Sequence, residues 1–230
     1  MLGALQYLTM RQPDIVYGVH VVSQFMHVPR TTHLLAAKYI LMYLQGTLLH
    51  GILLRAAIVP FIMIAYSDAD WTGCHDSCCS TNKYAIFYGL NLIVWHSKKQ
   101  PTSSKSSIKA EYRVVAFVIT ETIWICRILY DLGFTLPSPI RLYYDNVSAT
   151  YLTANPVHHD HSKHIALDYH FAHECVTHGD LLVQHVPTNL KLANIFTKGL
   201  FTQQVLFHRS NLSVSPLYSL MVYNSIRVLM

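Results

Sequence analysis

The run FIMIAYSDADWTG, Phe61 to Gly73, stays apolar until it delivers two aspartates, Asp68 and Asp70. Spaced i, i+2 in an extended chain, their carboxylates leave on the same face. Asp145 closes another apolar run, in LYYDN, and Glu111 lies near the start of a long amphipathic stretch, in AEYRVVA. A single Asp after a strand is usually a turn former whose side chain caps nearby backbone N–H groups. Acids at the ends of neighbouring elements can instead converge, because groups just beyond strand C-termini in an open α/β sheet share one crevice. Carboxylates brought that close require a cation, and hard oxygen ligands suit Mg²⁺ or Mn²⁺. The chemistry such a site serves best is phosphoryl transfer with two metal ions.

The elements that must position these acids can be read from pattern and punctuation. Residues 1–55 read as helices, with THLLAAKYILMYLQG carrying apolar residues at helical spacing up to Gly46. From 56 to 100 the texture changes to short β-rich runs, FIMIAYS, KYAIFYG and NLIVWHS, a meander. A long helix is expected within Ser103–Gly133, with serines to cap its start, glycine to stop it, and Tyr112, Val115, Ile119 and Ile123 expected on one buried face. IRLYYD is a further strand and NVSATYLTAN a short helix halted by Pro156; SKHIALDYHFAHECVTHG predicts a helix, DLLVQHVP a strand and NLKLANIFTKGL a last helix. The order β-β-β-α-β-α-α-β-α implies an α/β domain in which an antiparallel meander joins strands that return through helices. Trp71, Trp95 and Trp124 each lie in or beside an apolar run and are expected in the core.

Composition bounds the answer. With 52% hydrophobic and 13% charged residues among 230, the chain is globular and long enough for a sizeable core. A formal net charge of +5 is compatible with a polyanionic partner. No run reaches the roughly 18 apolar residues of a membrane span, and the N-terminus lacks the charged and apolar regions of a secretory signal. Five cysteines, two of them adjacent, form no disulfide framework and point to a reducing compartment. The expectation is an intracellular protein, cytoplasmic or nuclear.

The motifs YSDADWTGC, WHSKKQPTSSKSS, AEYRVVA, YYDNVSATYLTANPVHH, SKHIALDYHF and HVPTNLKLANIFTKGL together resemble, in order and spacing, the ribonuclease H (RNase H) domain of copia-type retrotransposon Pol polyproteins. Upstream, GALQYLTMRQPDIVYGV and FMHVPRTTHLLAAKYILMYLQGT are similar to the end of the preceding reverse transcriptase. The resemblance implies an α/β, RNase H-like fold with a mixed five-stranded sheet flanked by helices over 56–213. It also implies a small helical reverse-transcriptase remnant over 1–55 and leaves an irregular tail over 214–230. It further implies hydrolysis of the RNA strand of RNA–DNA hybrids with two Mg²⁺ or Mn²⁺ ions. Asp68, Glu111 and Asp145 would be the catalytic, metal-binding acids. Asn194 stands where the family usually has a fourth, Asp, ligand; losing that charge weakens attachment of the second ion. Lys98, Lys99, Ser103, Ser104 and Lys105 are of the types that contact phosphate without reading sequence. Asp70 matches no catalytic position and is read as a support for the turn or for nearby nucleic acid.

Other departures from the family pattern are Cys78, Cys79, His161 and His173 where arginine is common, and Lys109 for a glutamate. The alternative they favour is a catalytically inactive transposon relic that at most binds nucleic acid. The reverse transcriptase's Tyr-x-Asp-Asp motif is absent, so no polymerase site lies in this sequence. The His158–His164 cluster and Cys74, His75, Cys78 and Cys79 lack the paired spacing of a structural zinc site and read as a polar loop and a surface turn.

Overall fold

The structure, a computed structural model, describes residues 1–56, 62–73, 78–104, 106–145, 166–187, 192–196 and 199–216. The expected helix over NVSATYLTAN, the His158–His164 cluster, Lys105 and most of the tail lie outside them. Two compact units are present, one formed by Met1–Arg55 with the chain from Lys198 onward, the other by Ala56–Thr197. The first unit opens with helices α1 (Leu2–Leu8), α2 (Val16–Ser23) and α3 (Thr31–Gly46), then strand β1 (His50–Ile52). Leu5, Ile15, Val19 and Leu44 make its small core. The Tyr43 hydroxyl donates to Asp14 across it at 2.6 Å. Burial and then the Asp14 carboxylate push that phenol up to about 12.

The second unit carries the meander β2 (Met63–Asp70), β3 (Thr81–Tyr88) and β4 (Asn91–Lys99), then α4 (Ser107–Asp131), β5 (Ile140–Tyr144), α5 (Ala166–Thr177) and β6 (Leu181–His185). A 3₁₀ turn, Leu192–Phe196, closes it. The sheet order is β4-β3-β2-β5-β6. β2, β3 and β4 pair antiparallel, whereas β5 runs parallel to β2, and β6 parallel to β5. The β3–β4 turn needs a positive backbone angle, which Gly89 supplies at φ +62°.

Alternation explains the layers. Met63 and Ala65 of β2, Tyr84 and Ile86 of β3, and Ile140, Leu142 and Tyr144 of β5 share one sheet face. Onto it pack Val114, Val115, Val118 and Ile119 of α4 and Ala172 of α5. On the other face Tyr66 stacks on Tyr143 and meets Phe87 edge-on, and the 3₁₀ turn packs against β2 and β3. β3 is therefore buried along nearly its whole length.

α4 begins and ends as its sequence dictates. Ser106 caps it, its hydroxyl accepting from the Lys109 N–H. Gly133, at φ +84°, ends it: its N–H donates to the Tyr130 carbonyl while that of Phe134 reaches Leu129, a Schellman closure. Two expectations need correcting here. Ile123 is partly exposed, because the buried stripe follows Val115, Val118, Ile119, Thr122 and Ile125. Trp124 and Trp71 are 60% and 46% exposed, the first because it falls on the solvent side of that stripe, the second because it lies in the turn after β2. The first unit is completed by α6 (Thr202–Asn211) and β7 (Val214–Pro216), the latter pairing antiparallel with β1.

Candidate active site

Asp68, Glu111 and Asp145 come from three elements separated in sequence and meet at one end of the sheet. Each offers an oxygen within 4.8 Å of those of the others. The topology accounts for the meeting. β2 pairs with β5 only through Ile64, Ala65 and Tyr66, so its last residues outrun its parallel neighbour. The Ala69 N–H, past the end of that ladder, donates to Glu111 Oε1 at 3.3 Å, tying the first turns of α4 to the strand that carries Asp68. β5 stops at Tyr144, and Asp145 follows directly. Asp68 and Glu111 are each 7% exposed and Asp145 is half-buried. Buried carboxylates crowded together carry a large repulsion unless a cation neutralises them. An all-oxygen donor set of this spacing fits a hard divalent ion.

A polar girder holds this end of the sheet to α4. Gln100, 2% exposed, donates through Nε2 to Asn82 Oδ1 and to the Ala110 carbonyl, and accepts from the Ser104 hydroxyl. Arg113 reaches the Thr102 carbonyl, the Thr102 hydroxyl and the Ser104 hydroxyl, and Trp71 Nε1 donates to the Ser104 carbonyl at 3.0 Å. This network fixes the turn before Glu111. Of its members only Ser104 is among the residues selected from the sequence.

The other sequence-selected residues are distributed as follows. Asn194 is buried in the 3₁₀ turn, whose packing on β2 and β3 brings it to the strand of Asp68. Lys98 and Lys99 are exposed at the end of β4, and Ser103 is exposed beyond them. Register aligns Asp70, Thr81 and Lys99 across three strands, so Lys99 shares a sheet face with Asp68 and Asp70 and lies about 10 Å from Asp70 at two strand spacings. Ser104 is buried, its hydroxyl engaged in the girder. Of the suspected zinc residues, Cys78 is exposed and Cys79 half-buried, while Cys74 and His75 lie outside the described residues. Sequence reading passed over Lys83, a buried strand residue paired opposite Asp68.

Three antiparallel strands continued by two parallel ones, with acids at the ends of the first and fourth strands and on the helix between the third and fourth, define an RNase H-like domain. No model of a known protein family matches the chain. Over 200 residues it is 50% identical to the "Retrovirus-related Pol polyprotein from transposon RE1" of Arabidopsis thaliana, a match covering 87% of this chain and 14% of that protein. The corresponding polyprotein of transposon RE2 from the same plant is 48% identical over 200 residues, with the same coverage. Close homologues of the chain are thus retrovirus-related Pol polyproteins of copia-type transposons, and it spans 14% of the length of those two relatives. Among solved structures it is similar to LC11-RNase H1, isolated from compost, at 14% identity and a TM-score of 0.45, covering 59% of this chain and 91% of that one.

Proposed function

We propose that the unit formed by residues 56–197 is a ribonuclease H-type endonuclease domain that hydrolyses the RNA strand of an RNA–DNA hybrid and leaves a 3′-hydroxyl. The observation that carries the reading is the convergence of Asp68, Glu111 and Asp145 to within 4.8 Å. Residues 1–55 are then the end of a reverse transcriptase, and the setting is intracellular. Two Mg²⁺ or Mn²⁺ ions, when bound, would supply an activated water and neutralise charge on the departing oxygen.

The chain's own residues supply the rest. Asp68 and Asp145, at the ends of rigid strands, present oxygens to a common point. Glu111 is held toward that point by the Ala69 N–H, so little side-chain freedom is lost when a cation arrives. Asn194 offers one neutral oxygen, a weaker hold than the carboxylate that the resemblance places there. Lys98, Lys99 and Ser103, exposed at and beyond the end of β4, would contact phosphates without regard to sequence, a role the resemblance extends to Lys105. Ser104 would serve that loop by shaping it rather than by touching substrate, given its buried hydroxyl.

A second reading, a folded relic that binds hybrid without cutting it, is favoured by the neutral side chain of Asn194 and by a buried lysine opposite Asp68. The deciding assay is cleavage of end-labelled hybrid in Mg²⁺ or Mn²⁺ by the natural chain beside Asp145→Asn. Metal-dependent cuts in the RNA strand, absent from Asp145→Asn, are expected. Intact RNA in both at saturating metal, with hybrid bound, would leave the relic reading.

A further inference from the structure

Lys83 is 2% exposed, a burial that an ammonium tolerates only when paired. Its Nζ lies 3.2 Å from Asp70 Oδ2. In the β2–β3 register its partner is not Asp70 but Asp68, so its side chain leaves the sheet on the same face as the first acid of the cluster, one strand away. Asp70, two residues further along β2, draws the ammonium diagonally toward the strand end. The turn leaves room for that carboxylate: the Gly73 N–H donates to the Asp70 carbonyl, and any Cβ at Gly73 would collide with the Asp70 side chain. The glycine therefore lets the Asp70 carboxylate occupy the space over the turn.

We propose that Lys83 and Asp70 form a charge clamp that sets the divalent-cation affinity of the Asp68–Glu111–Asp145 cluster. The buried ammonium opposes a second positive charge on its sheet face, and Asp70 restrains it, acting as a positioning residue rather than a ligand. The inference rests on the metal-site reading above and adds to it a residue pair that works against the ion. Removing the ammonium should tighten binding of a divalent cation by at least roughly tenfold, the effect of a unit charge about 6 Å from a doubly charged ion even at the dielectric constant of water, about 80. Removing Asp70 while Lys83 remains should loosen binding several-fold, because the ammonium is freed to move toward Asp68.

The test is Mn²⁺ titration of the full chain, read from the electron paramagnetic resonance signal of free Mn²⁺, with circular dichroism to establish folding. Lys83→Met is the principal variant, because an apolar side chain of similar volume is usually tolerated in place of a buried charge. Lys83→Gln serves if it fails to fold. The expected pattern is tighter Mn²⁺ binding in Lys83→Met, near-natural binding in Lys83→Arg, and weaker binding in Asp70→Asn. The Asp70→Asn loss should also be smaller in the Lys83→Met background than in the natural chain. Equal Mn²⁺ affinity in the natural chain and the charge-removing variants, with binding still lost in Asp145→Asn, overturns the clamp and leaves the metal site standing. Absence of Mn²⁺ uptake by both the natural chain and Lys83→Met overturns the metal site and the clamp with it.

Discussion

Neutralising one acid of the cluster should make the metal-free protein more stable, and Asp145→Asn is the substitution to use. Asn preserves shape and one oxygen acceptor while removing the charge. The three carboxylates lie within 4.8 Å of one another, so each like-charge pair opposes folding by about 3.5 kcal/mol at an effective dielectric constant of about 20, and about 0.9 kcal/mol with full water screening. Asp145 takes part in two such pairs and is half-buried, which places the relief toward the screened end, about 1–2 kcal/mol. For a chain of this length that corresponds to a rise in melting temperature of roughly 2–8 °C. Thermal unfolding followed by circular dichroism in excess chelator gives this difference directly. Adding Mn²⁺ should reverse the order, since a ligand at a hundred times its Kd stabilises the natural chain by about 2.7 kcal/mol and the variant by far less. An Asp145→Asn protein that melts at or below the natural temperature in chelator, or that gains as much from Mn²⁺, would refute the electrostatic argument.

Other outcomes can be checked alongside. Asn194→Asp should raise hybrid cleavage at limiting Mg²⁺, with the gain shrinking as metal saturates; equal rates throughout the titration would show that Asn194 is not the defect. Replacing Lys98 and Lys99 by alanine should weaken hybrid binding and reduce the slope of log affinity against log salt by roughly one unit per lysine, measured by fluorescence anisotropy. Stability should fall on acidification. His96 is held below its ordinary value by burial and then by Lys98, and His208 by burial alone. Both favour the neutral ring in the folded state, so the unfolded chain takes up protons first and stability declines as pH drops below about 6.5. Urea midpoints at pH 8 and pH 5.5 measure this, and the His96→Phe and His208→Phe proteins should show a smaller difference between them.

The parts of the fold that sequence made legible are those whose local signals agree. The β2–β3–β4 meander alternates and is punctuated by Gly89, and α4 carries both its Ser106 cap and its Gly133 stop. The three acids were visible through the family resemblance, each at the end or opening of a strongly patterned element. Lys83 was not, because a lysine in a strand reads as a solvent-facing residue, and only the packing of β3 on both faces buries it. The Gln100–Arg113–Ser104 network was equally hidden, since its hydrogen bonds depend on a loop conformation that no periodicity encodes. α6 and the β1–β7 pair went unread because those segments are short and weakly patterned, and their partners are distant in sequence. Ile123 and Trp124 show the limit of counting apolar residues on a helix: the stripe drifts, and large side chains at its edge remain exposed.

The most direct test of the metal centre is anomalous diffraction from crystals of the full chain soaked in Mn²⁺. The account predicts a peak about 2.0–2.2 Å from an oxygen of each of Asp68, Glu111 and Asp145, the range for small divalent ions with carboxylates. No peak at the cluster at saturating Mn²⁺, with all three carboxylates ordered, would contradict it.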